Sequence, residues 1–116
     1  MSQIGSSAPL ALPAMRPPAG TSARRAGSGY GTDYVEATAQ LDTTASVATI
    51  LDHYAGQLRA AGWTVVGRPM ADGEVGLQRV SVRDPARIEW QGALTVITAG
   101  DRRQLSLRVT RPGAFD

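Results

Sequence analysis

Chemistry in this sequence would have to begin at His53, the single histidine of the 116-residue chain. An imidazole works as general base or metal ligand through partners. The nearest acid, Asp52, is adjacent in sequence, and adjacent helix positions diverge, so the two form no ready-made dyad. Asp72 and Glu74 flank Gly73, where carboxylates serve backbone geometry and solvation. A calcium or magnesium loop needs more oxygen ligands than these two supply. With no cysteine there is neither a disulfide framework nor a thiolate metal site. No catalytic residue, metal or cofactor is expected from these residues.

The run Gly27-Ser28-Gly29-Tyr30-Gly31 has the glycine content of a phosphate-cradling loop. It lacks the Gly-Lys-Ser/Thr ending, and no helix follows to aim a dipole at an anion. Ser28 is also outside the strand-to-helix turn of a nucleophile elbow. All twelve basic residues are arginine, and neither lysine nor asparagine occurs. Arginine forks suit phosphate and carboxylate. Missing asparagine has no anion-binding explanation, however, and codon bias in a GC-rich genome accounts for both absences. Net charge is only +2. Arg79, Arg83, Arg87, Arg102, Arg103, Arg108 and Arg111 fall on the last three strands, which makes an arginine-based anion or nucleic-acid binding domain the alternative reading. Nucleic-acid binding calls for interleaved aromatics. Only Trp90, assigned to the core, and Phe115 lie nearby, so a solvated sheet edge is the better reading.

These residues are positioned by a chain organised around Thr44–Trp63. At 100° per residue, Val47, Leu51, Tyr54, Ala55 and Leu58 share one arc, with Ile50, Ala48 and Ala61 on its shoulders. Thr49, His53, Gly56 and Ala60 fall opposite, which puts His53 on the solvent face. Thr44 is the expected N-cap, with Asp42 the competitor. Gly62 is expected to close the helix in the left-handed conformation, with Trp63 packing back on Leu58.

Around the helix the pattern alternates. Thr21–Ala26 and Asp33–Leu41 read as arms of a hairpin with Gly27–Thr32 as its bend. Trp63–Arg68 leads to a turn at Asp72-Gly73. Val75–Arg83 switches parity, and a bulge near Gln78-Arg79 would reconcile it. Ile88–Thr98 and Leu105–Val109 alternate cleanly. The order β-β-α-β-β-β-β with short connections predicts an α+β, two-layer fold: one helix on an antiparallel sheet of about five to six strands. The covered face is expected to hold Val35, Ala37, Ala39, Trp63, Val65, Trp90, Leu94, Val96, Leu105, Leu107 and Val109. Residues 1–20, rich in Ser, Ala and Pro, read as a disordered or linker-like tail. Residues 21–112 form the domain, and 113–116 a C-terminal tail.

The run His53-Tyr54, Leu58, Gly62-Trp63, with Pro17-Pro18-Ala19-Gly20 upstream and Trp90-Gln91-Gly92 downstream, resembles small uncharacterised domains of predicted bacterial secreted proteins and lipoproteins. The resemblance implies the α+β layout and an extracytoplasmic setting, and no activity. The first residues, Met-Ser-Gln-Ile-Gly, lack the basic and apolar regions of a signal peptide. No apolar run is long enough for a membrane span.

The sheet face away from the helix remains: Tyr34, Thr38, Val66, Arg68, Ala93, Thr95, Ile97 and Arg108. Mixed and moderately apolar, it suits a protein partner or self-association, with Tyr34, Val66, Arg68, Ile97 and Arg108 as the contacts. An ordinary wet antiparallel face is the other reading. The expected function is a non-catalytic interaction or structural module.

Overall fold

The computed structural model describes residues 9–111. Six strands and one helix follow in the order β1 (Ser22–Tyr30), β2 (Tyr34–Asp42), α1 (Val47–Ala60), β3 (Thr64–Ala71), β4 (Val75–Arg83), β5 (Glu89–Ala99) and β6 (Arg102–Thr110). The strands form one sheet, β1-β2-β6-β5-β4-β3, with every neighbouring pair antiparallel. This is the expected α+β architecture.

The topology explains the helix. Strands β2 and β3 follow each other in sequence but lie four positions apart in the sheet, roughly 19 Å at normal strand spacing. Fourteen helical residues cover about 21 Å, so α1 bridges the gap by crossing the sheet face. It settles on β3, β4 and β5. Val47, Ile50, Leu51, Tyr54, Ala55 and Leu58 are its buried residues, in the predicted stripe. The sheet contributes Val35, Leu41, Val80, Trp90, Leu94, Val96, Leu105, Leu107 and Val109 to the same core.

The helix ends as its sequence dictates. Gly62 has φ +92°. Its amide donates to the Arg59 carbonyl at 3.0 Å, and the Trp63 amide donates to the Leu58 carbonyl at 2.9 Å. This is the Schellman pattern, sealed by buried Leu58 and Trp63. Its beginning differs from expectation. Ser46, not Thr44, is the N-cap, its hydroxyl accepting the Thr49 amide at 3.1 Å. The chain reaches the helix through Thr43, whose hydroxyl takes the Ala45 amide at 3.1 Å, and Arg103 holds the Ala45 and Thr44 carbonyls at 3.1 and 3.3 Å. A clamp from a residue 58 positions away leaves no local signal.

Three further expectations are corrected. The first bend is Gly31–Asp33, not the whole glycine run, because Gly27–Tyr30 pairs with Val35–Thr38. Strand β4 pairs with β5 without a break, Gly76, Gln78, Val80 and Val82 all facing the helix side. The irregularity sits instead in β3 between Val66 and Met70, where Gly67 takes φ +72°. Buried Gln78 belongs to that distortion: its amide donates to the carbonyls of Val66 (3.1 Å), Gly67 (3.3 Å) and Arg79 (3.1 Å). A polar residue on the core side of β4 thus satisfies carbonyls loosened by the β3 bulge. Ile88, finally, precedes β5 and is exposed.

Candidate functional site

Because α1 lies over β3, β4 and β5, the half of the same face made by β6, β2 and β1 is left to another element. The segment before β1 supplies it. Its composition reads as linker, yet from Pro9 to Gly20 it is laid over the domain as a strap without regular secondary structure. Leu10 is buried, and Leu12 and Met15 pack against the core. Prolines that prevent helix or strand also lower the entropy lost on docking.

The strap is fastened to the helix through main chain. The Arg16 amide donates to Gln57 Oε1 at 2.8 Å, and Gln57 Nε2 donates back to the Arg16 carbonyl at 2.7 Å. His53 Nε2 lies 2.8 Å from the same carbonyl and 2.7 Å from Gln57 Nε2. It serves as donor to the first or acceptor from the second according to its tautomer. The expectation of an imidazole standing in water is therefore corrected. His53 is half-buried, held by neutral amide groups, and its ring meets Tyr54 edge-on at 5.0 Å. Its partners are those of a tether, with no carboxylate among them.

Between strap and sheet lies a groove of about 880 Å³, within the range of small-molecule sites. Its floor is Val35, Ala37 and Ala39 of β2 with Leu105 and Leu107 of β6. Antiparallel register puts these on one face: Ala37 opposite Leu107 and Ala39 opposite Leu105. The strap residues from Leu10 to Met15 form one side, and Tyr54 of α1 borders it. On the other side stands β1, an edge strand. Its bulge between Arg25 and Gly27 shifts parity, so Arg25 (opposite Ala39), Ser28 (opposite Ala37) and Tyr30 (opposite Val35) all share the floor's face.

Charge around the groove is one-sided. Arg25 makes no ion pair among the described residues. Glu36 also borders the groove, but its carboxylate is engaged by Arg108 Nη1 at 2.9 Å, on the opposite face. Tyr54 is almost wholly buried, and that burial raises its pKa, which keeps the phenol neutral.

The five residues expected from sequence at the open face are only partly gathered. Tyr34 and Arg108 meet, the guanidinium 4.8 Å from the ring centroid. Val66 lies in the same transverse row, at the far edge, through Arg79 and Ala93. Arg68 is exposed within the irregular part of β3. Ile97 stands nearer the other end of β5, beside Val75. The C-terminal arginines do not converge either. Arg102 and Arg103 lie at one end of the sheet and Arg83 at the other. Arg102, Arg103 and Arg108 are occupied with Asp42, with carbonyls before the helix and with Glu36. Phe115 and the tail 113–116 lie outside the described residues.

Sequence reasoning missed the groove altogether. The available signal was Leu10, Leu12 and Met15, three large apolar residues within six positions of a segment whose composition reads as linker. No helix of the described chain is long and apolar enough to cross a membrane. Comparison with known proteins finds no matching family model, no matching curated protein and no matching solved structure.

Proposed function

We propose that this chain is a non-catalytic binding module whose site is the groove between the strap and the sheet. One observation carries the reading: an apolar floor on the core side of the sheet beyond the helix, walled on one side by a segment tied to the helix at Arg16. Alanines at 37 and 39 keep that floor low, where larger residues would fill the space. The test uses Nile red, a neutral dye that brightens in apolar surroundings. The native chain is expected to bind it, and Ala39→Phe to weaken binding tenfold or more, a change of about 1.4 kcal/mol, while its thermal unfolding remains cooperative. Equal binding by native and variant, or none by the native chain, removes the reading.

A second reading keeps the open sheet face as a surface for self-association. It rests on the exposed Met70, Val75 and Ile97, with Val75 directly across from Ile97 and Met70 across from Leu77. Flat apolar cross-strand pairs of this kind are interface material. Sedimentation should then show a dimer at high concentration that Ile97→Asp returns to monomer. A native chain that stays monomeric leaves this face an ordinary wet one.

A further inference from the structure

We propose that the occupant of the groove is a single-chain monocarboxylate amphiphile, a free fatty acid, held with its carboxylate at Arg25 and its chain along the floor toward Tyr30. This rests on the groove being a binding site and names what it takes. The apolar strip from Ala39 to Val35 runs about 14 Å along β2, comparable to extended dodecanoate. Its two ends differ. Arg25 stands opposite Ala39, and Tyr30 stands opposite Val35, so register alone puts a cation at one end of the strip and an aromatic ring at the other.

Charge complementarity selects the head group. Arg25 borders the groove and has no carboxylate partner among the described residues. Glu36, the acid that also borders it, is turned to the other face and paired with Arg108. One unpaired guanidinium matches one monoanion, and its planar fork suits a carboxylate. A doubly charged head would find a cationic partner at Arg25 for only one of its charges. The strap closes the side opposite β1, so the chain enters from the β1 edge with its head remaining at solvent.

Isothermal titration of the full chain with dodecanoate and with dodecanol, each below its aggregation concentration, tests this. Dodecanoate is expected to bind about fivefold more tightly, the scale of one exposed charge-assisted contact. Added salt should narrow the difference. Arg25→Gln should abolish the preference and leave dodecanol binding unchanged; Arg24→Gln, across from Gln40 on the other face, should leave the preference intact. Equal binding of the two ligands by the native chain overturns the head-group assignment while the groove stands. Failure of both ligands to bind overturns the assignment together with the groove. Loss of both at protein concentrations where the chain dimerises makes a second copy the occupant and overturns it as well.

Discussion

Trp90→Ala should lower the free energy of unfolding by about 3–5 kcal/mol, enough to consume much of what a domain of this size has in reserve. Trp90 is fully buried on the helix side of β5, across from Val82. Truncation removes a large apolar ring and leaves a cavity that a sheet held on both sides cannot collapse to fill. A polar loss adds to it. The indole Nε1 donates to Asp84 Oδ2 at 3.0 Å, while Asp84 Oδ1 accepts the Ile88 amide at 3.0 Å. These bonds, the indole's first and the amide's second, hold the Asp84 carboxyl below the usual aspartate range. A depressed native pKa adds stability that is complete above the unfolded value, near 3.9, and is lost as pH falls through the native one. Trp90→Phe separates the two contributions. It should retain most of the packing and show a shallower loss of stability between neutral and acid pH than the native chain. Denaturant midpoints measured across pH decide it: a Trp90→Ala loss under about 1 kcal/mol is too small for a ring buried as described.

Trp90 also shows what the sequence reveals and where it stops. Its parity with Leu94 and Val96 is visible in the alternation of β5, because side-chain direction in a strand is local. The helix stripe and the Gly62 cap are legible for the same reason: each depends on residues within one or two turns. The N-cap is Ser46 and not the expected Thr44. What fixes the start of the helix is Arg103 reaching back from β6, a long-range contact that no window along the chain contains. The parity break in β4 has a similar origin. Val75 and Leu77 face the open side, and Gly76 and Gln78 face the helix side, so an apolar-alternation rule reads a slip where the strand is regular. Gly76 is on the helix side because Val47 and Leu51 press onto its backbone. Gln78 is there because the β3 bulge needs a donor.

The candidate site was the least legible part, and the reason is physical. Composition identifies segments that cannot fold alone, and Pro9–Gly20 is one. It does not say whether a finished domain offers such a segment a surface. That surface exists because a helix of fixed length crosses a six-stranded sheet and stops over three of its strands. The vacancy over β6, β2 and β1 follows from strand order, which sequence adjacency conceals: β2 pairs with β6, sixty or more residues on. Arg25 shows the same limit. Counting parity from Ser22 without the bulge would put Ser28 and Tyr30 on the face opposite Arg25, and the charged and aromatic ends of the groove would not share a side.

Gly92→Ala should destabilise the chain by more than about 3 kcal/mol, beyond the usual range for one added methyl in a packed interior. Gly92 has no positive φ, so the demand there is for space alone. A Cβ at Gly92 would meet the Arg108 carbonyl oxygen, and would lie 2.6 Å from Val109 Cα and 2.7 Å from the Arg108 carbonyl carbon. All three are main-chain atoms of the partner strand, which cannot change rotamer to make room. Relief requires moving β5 away from β6 around the Gly92–Val109 pair, where buried Val80 and Val109 stand on either side. Gly76 provides the comparison. A Cβ there meets Val47 Cγ1 and, at 2.6 Å, Leu51 Cδ1, both ends of side chains on a helix that can tilt. Its alanine variant should fall within about 1–3 kcal/mol. The order of the two variants carries the claim, because the methyl added is the same and only the rigidity of what it meets differs. Denaturant unfolding of both settles it: if Gly92→Ala proves no worse than Gly76→Ala, β5 and β6 are not held at the separation described. The floor of the groove, built on β6 and β2, would then be free to shift as well.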